Sequence, residues 1–208
     1  VKKLVWIDLE TSGLDMQKHQ IIQVAMIATS YDMAKVYGED TFKMSFSVKN
    51  ASPKALEIVG YSKERWRDAI GQRDGVQRIK AFLEKHATWQ KKGSQHKFAE
   101  LAGHNIINFD APFLSAWFKR AGIFLPATHW TGGQIDTLQM TKAYFFAMGI
   151  GGSLKLEDLC ERHGIELENA HDALADVQAT IGLAKVLKNQ IGCQDKLTRE
   201  AAKLGGVI

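Results

Sequence analysis

Apolar and polar positions along the chain divide it into an early part written mostly in strand period and a later part where helix period takes over. Residues 3–10 read as a strand that turns at Thr11-Ser12-Gly13. Residues 21–29 (IIQVAMIAT) read as a second strand, and residues 41–48 (TFKMSFSV) alternate as a third. The short links between these three favour antiparallel hairpin neighbours. Ser62 caps a short predicted helix ending at Ile70, and Asp74 caps a longer one with Val76, Ile79, Phe82 and Leu83 on one stripe. Residues 101–105 suggest a short buried strand. Asp110 then opens a helix that tolerates Pro112 in its first turn and turns Phe113, Leu114 and Trp117 inward. A last short strand falls around Gln134-Ile135, followed by helices near 137–148, 153–163 and 172–188. Strands first, then strands alternating with helices, predict a mixed α/β sheet with helices on both faces. The expected domain is residues 1–188, with 189–208 a polar, glycine-ended tail outside the core.

Composition narrows this picture only moderately. The chain has 208 residues, 45% of them hydrophobic and 24% charged, the balance of a globular domain able to bury a core. No apolar run approaches the roughly 20 residues of a membrane helix, and no signal-peptide pattern appears. Cys160 and Cys193 are too few for a disulfide framework, so a reducing, cytoplasmic setting is expected. The net charge is +4, with a pI near 9.0, a mild sign of a polyanionic partner. The basic stretch at 89–97 (WQKKGSQHK) reads either as a solvated turn or as a phosphate contact.

The acids carry more information. Side chains alternate across a strand, so Leu4, Trp6, Asp8 and Glu10 share one face while Val5, Ile7 and Leu9 share the other. Two neighbouring carboxylates repel, and burial makes their charged forms costlier. Either one stays protonated or a cation neutralises both, unless the strand end simply reaches solvent. Asp110, in GHNIINFDAPFL, reads locally as a helix N-cap. Asp176, in AHDALADVQAT, shares a helix face with Ala173, Ala179, Thr180 and Leu183, an inward position with no local cation. Asp172 fits an N-cap, and His171 stands just ahead of it.

Four acids from separate elements can converge at one end of the sheet with a histidine beside them. Oxygen-rich sites suit Mg²⁺ and Mn²⁺, and two such ions about 3.5–4 Å apart assist phosphodiester displacement. A histidine, with an ordinary pKa near 6.5, can take a proton from the attacking water. Zinc is disfavoured, because no cysteine–histidine cluster occurs.

Three motifs give this constellation a family likeness. DLETSGL from Asp8, NIINFD from Asn105 and HDALAD from His171 resemble, in order, the motifs of the DEDD (DnaQ-like) 3′–5′ exonucleases. A histidine five positions before the last aspartate is similar to the histidine (DEDDh) branch. The resemblance spans about residues 4 to 188 and touches the proofreading subunit of bacterial replicative polymerase, ribonuclease T and oligoribonuclease. It implies a ribonuclease H-like fold with three antiparallel strands followed by parallel ones. It also implies that Asp8, Glu10, Asp110 and Asp176 hold two Mg²⁺ or Mn²⁺ ions and that His171 is the general base. Thr11, Ser12, Gly13, Leu14, Asn105 and Phe109 would contact the substrate, with Leu14 as an apolar wedge and His104 structural. The expected reaction releases nucleoside 5′-monophosphates from single-stranded 3′ ends, with DNA favoured over RNA. A DNA polymerase is left open as a partner, and so is oligomeric state. The competing expectations are a catalytically dead module that binds nucleic acid or tethers a polymerase, and a phosphatase on mononucleotides.

Overall fold

The computed structural model describes residues 1–128, 133–168 and 170–204, with residues 193–204 in backbone only. Its centre is a five-stranded sheet. β1 (Lys3–Thr11) pairs antiparallel with β2 (Ile21–Ser30), which pairs antiparallel with β3 (Val36–Lys43). On its other side β1 pairs parallel with β6 (Glu100–Gly103), and β6 pairs parallel with β7 (Ile135–Asp136). This is the expected ribonuclease H-like arrangement, three antiparallel strands followed by parallel ones.

The alternation in β1 sorts two cores. Val5, Ile7 and Leu9 pack with α2 (Gln72–His86) and α3 (Asp110–Arg120) on one face. Leu4 and Trp6 pack on the other against Ala173, Val177, Ile181 and Ala184 of α6 (Ala173–Leu204). α4 (Thr137–Met148) and α5 (Leu156–His163) then cover α6 around Phe145, Leu159, Leu183 and Leu187. Among the described residues no helix is long and apolar enough to cross a membrane.

Several expectations need correction. The third strand runs over 36–43 rather than 41–48, because the ladder pairs Thr29 with Val36 and ends at Gln23 with Lys43. Phe42 and Met44 still enter the core, and Met44 forms a lone bridge to Ile70. That bridge draws Ile70 into extended backbone, so the segment from Ser62 forms turns rather than an α-helix. Ser62 Oγ does accept from the Arg65 N–H at 3.1 Å. The helix in this region is instead α1 (Pro53–Ile58), which opens with a proline at its first position. α2 begins at Gln72 with Gly71 as N-cap, leaving Asp74 in its first turn. The basic stretch at 89–97 closes a small hairpin of β4 (Trp89–Gln90) and β5 (Lys97–Phe98). α6 continues to Leu204 through the segment read as a tail, while residues 205–208 lie outside the described residues.

Candidate active site

β6 pairs with β1 only from Leu4 to Trp6, whereas β2 follows β1 to its end. Beyond Trp6 one flank of β1 is therefore open, at the carboxyl end of parallel neighbours where α/β sheets gather ligands. Asp8 and Glu10 stand on this stretch, both half-buried on the α6 face. The register shifts after Glu10, where the strand gives way to the turn at Thr11.

Asp110 closes the open flank. It is not the cap of α3, a position held by Phe109. Its carboxylate accepts from the Leu9 N–H at 3.0 Å, so α3 meets β1 between the two acids. Asp110 is 3% exposed. Sequence reasoning missed what aims it, namely Asp136. Asp136 Oδ1 accepts from the N–H groups of Asn105 at 3.0 Å, Leu138 at 2.9 Å and Gln139 at 3.4 Å, and Oδ2 from Ile107 at 3.2 Å. One buried carboxylate thus caps α4 and pins the turn leading to Asp110. Asp136 before Thr137 has the signature of an N-cap, which is the signal that was available.

Asp176 enters from α6, 8% exposed, with Ala173, Ala179, Thr180 and Leu183 buried as expected. Its Oδ2 accepts from the His171 N–H at 3.1 Å, and His171 adopts φ +67° to make that bond. Asp172 caps α6 as expected, with Oδ1 accepting from Leu174 and Ala175, and its Oδ2 accepts from Gln23 Nε2 at 3.2 Å. The exposed His171 ring places Nε2 3.5 Å from Glu157 Oε1 of α5, a partner the sequence reading did not find. Glu10, His171 and Asp176 each offer a ligand atom within 4.8 Å of the others.

The electrostatics fit a cation site. Burial, followed by the charges of Asp110, Glu10 and Asp176, pushes the Asp8 carboxyl well above the usual range. Burial and the charges of Asp176 and Asp110 push Glu10 to about 8. Burial and Asp136 push Asp110 to about 8 against the lowering effect of the Leu9 N–H. Asp176 rises to about 6, chiefly by burial, with the His171 N–H opposing. Asp8 and Glu10 are thus raised by their neighbouring acids as well as by burial, and among the described residues no lysine or arginine forms an ion pair with any of the four. A donor set of carboxylate oxygens with one imidazole fits hard divalent ions.

The turn after β1 is ordered by its own bonds. Thr11 Oγ1 donates to Gly13 O at 2.8 Å, and Ser12 exchanges bonds with Gln20 through N–H and Oγ. Gly13 has φ +154°, and a Cβ there would lie 2.5 Å from the His19 ring. The missing side chain thus makes room for His19 first of all. Leu14 projects into solvent, 82% exposed. Asn105 adopts φ +59° and accepts from Asn108 Nδ2, while Phe109 packs against the core and the Phe113 ring. His104 is structural as expected, its ring nitrogens bonded to Thr137 Oγ1 at 2.8 Å and Leu154 O at 2.9 Å.

Comparison with known proteins places the chain in a family. The RNase_T family model, described as exonuclease, matches residues 5–184. Exodeoxyribonuclease I of Haemophilus influenzae is 34% identical over 100 residues, which is 42% of this chain and 21% of that protein. The PolC-type DNA polymerase III of Bacillus cereus is 27% identical over 189 residues, 88% of this chain and 11% of that one. Escherichia coli exonuclease I in complex with a dT13 oligonucleotide superposes with a TM-score of 0.74 at 26% identity, covering 95% of this chain and 44% of that one. The chain therefore spans less than half the length of each relative.

Proposed function

The chain belongs to the RNase_T family of exonucleases, and from that premise we propose that it hydrolyses single-stranded DNA stepwise from the 3′ end, releasing nucleoside 5′-monophosphates. The observation that carries this reading is the convergence of Asp8, Glu10, Asp110 and Asp176, with the ligand atoms of Glu10, His171 and Asp176 within 4.8 Å of one another and the Asp8 carboxyl raised by burial and by the other three acids. The choice of DNA rests on the relatives, an exodeoxyribonuclease and an exonuclease I holding dT13. The PolC-type relative supports a polymerase as an associated protein.

Asp8, Glu10, Asp110 and Asp176 would hold two divalent ions, Mg²⁺ or Mn²⁺. When bound, such ions acidify water and stabilise charge on the attacking and leaving oxygens of the displacement. His171 takes the proton of the attacking water onto its imidazole, and Glu157, 3.5 Å from Nε2, pairs with the ring once it is charged. The water oxygen bonds to phosphorus, the bond to the 3′ oxygen breaks, and that oxygen takes up a proton from solvent. The strand keeps a 3′-hydroxyl, and the freed nucleotide leaves with a 5′-phosphate. Thr11 to Gly13 bring backbone to the terminal nucleotide, with Leu14 set against its base and Asn105 and Phe109 at the floor.

The test is a time course on 5′-labelled single-stranded DNA and matched RNA, with Mg²⁺, with Mn²⁺ and with EDTA. A ladder shortening by one nucleotide, faster on DNA and absent in EDTA, is expected. Binding without shortening in either metal would instead support the dead module.

A further inference from the structure

A second feature lies beside the carboxylates. A cavity of about 390 Å³ is lined by Ile58, Val59, Gly60 and Arg65 from one segment and by His171 and Asp172 from another. None of the four clustered acids lines it. The cavity thus shares the histidine with the reaction centre but lies to one side of the acids.

Arg65 is built into this cavity. Val59, the C-cap of α1, is buried with Ile22 and Trp66, and Trp66 Nε1 donates to Ile22 O at 3.2 Å. That anchoring sets the turn carrying Arg65. Its Nη1 donates to Gly60 O at 2.8 Å and to Val59 O at 3.1 Å. Gly60 has φ +58°, and a Cβ there would lie 2.4 Å from Nη1, so only glycine leaves the seat open. A guanidinium carries five N–H donors, and these two bonds engage one nitrogen. Among the described residues, no carboxylate lies within ion-pair distance of Arg65. A held cation with donors to spare and no acid partner lines the cavity next to His171, where a polyanionic strand would pass.

We propose that Arg65 is a positioning residue that binds a non-scissile phosphate of the substrate strand, the linkage adjacent to the one being cut. The proposal rests on the exonuclease reading above. The scissile phosphate belongs among the four acids, which do not line this cavity, so the group reaching Arg65 is a neighbouring one. A guanidinium suits it because its planar fork matches phosphate oxygens.

The experiment uses the full chain and 5′-labelled single-stranded DNA. Arg65→Gln keeps a donor for the Val59 and Gly60 carbonyls while removing the charge. Its KM is expected to rise about tenfold, as for one lost charge-assisted contact, with kcat falling far less. The slope of log KM against log salt should become shallower by about 0.7, one phosphate contact on a single strand. Arg65→Lys should recover the slope. A neutral methylphosphonate at the linkage next to the scissile one should raise KM for the unmodified protein and leave Arg65→Gln indifferent. Equal KM and equal slope for Arg65→Gln, or a lowered Tm with an unchanged slope, overturns the proposal and leaves Arg65 as a cap on α1. An unmodified protein that fails to shorten DNA overturns the exonuclease reading itself.

Discussion

The two halves of β1 share one ladder with β2 and differ in everything else. From Leu4 to Ile7 the strand is sealed, each side chain at most 2% exposed, and the indole N–H of Trp6 donates to Thr29 Oγ1 at 2.9 Å. From Asp8 to Glu10 it loses β6 as a neighbour and carries two acids that, among the described residues, form no ion pair with a lysine or arginine. The first half is satisfied by the fold alone. The second leaves its raised carboxyls to a proton or to a bound cation. Where a sheet stops closing on itself, the polar groups at its edge become available for chemistry, at the expense of stability.

Substitutions in the two halves should therefore have opposite signatures. Trp6→Ala empties a sealed site and removes the N–H that Thr29 Oγ1 accepts, and should cost about 3–5 kcal/mol, a large share of a typical domain's 5–15 kcal/mol. Denaturant unfolding checks this, and a loss below about 1 kcal/mol would break the comparison. Asp8→Asn should lower the rate on single-stranded DNA at least about a hundredfold, since electrostatic groups at a reaction centre are worth that much. By removing a like charge it should also raise the metal-free Tm by about 2–4 °C, the shift for roughly 1 kcal/mol at this size. An active Asp8→Asn, or one that melts lower without metal, contradicts the reading of that half.

The same difference appears in pH. Glu10 and Asp110 are raised to about 8 and Asp176 to about 6, above their unfolded values of 4.5 and 3.8. The folded state therefore holds protons that the unfolded chain has released. Stability from these groups is complete below about pH 4 and is lost as pH rises through 6 and then 8. In EDTA the Tm should fall between pH 5 and 8.5, and saturating Mn²⁺ should flatten the curve. Ligand at a hundred times its Kd adds about 2.7 kcal/mol. A Tm in EDTA that is flat over this range would mean the acids are neutralised from within.

How far the chain's own residues announced this site depends on the range of the contacts. Alternation in β1 put Asp8 and Glu10 on one face, and the small neighbours of Asp176 marked it as inward, because both patterns are local. Asp110 was ambiguous in sequence, since an aspartate at the start of a helix reads as a cap. Its actual bond is to Leu9, 101 residues away, and no local pattern carries that. Glu157 escaped notice for the same reason, because only the packing of α5 on α6 brings it to His171. The third strand slipped because hairpin pairing from Val36, not apolar alternation, set its limits.

Asp136 tests how much the open half of β1 depends on support outside the strand. Its two carboxylate oxygens accept from four backbone N–H groups, and two of these, on Asn105 and Ile107, belong to the turn that delivers Asp110. Asp136→Asn retains one acceptor oxygen, which can still take the α4 N–H groups, and puts an amide where Oδ2 now faces the Ile107 N–H. One part-buried hydrogen bond is then lost, at about 0.5–1.5 kcal/mol, while the charge beside Asp110 is removed. The expected result is a modest loss of stability and a rate reduced less than in Asp8→Asn, because Asp110 is displaced rather than deleted. Hydrogen exchange at Ile107 should quicken while that at Trp6 is unchanged. Equal protection at both amides would show that the turn is held by α3 itself, and the two halves of β1 would then differ only in their acids.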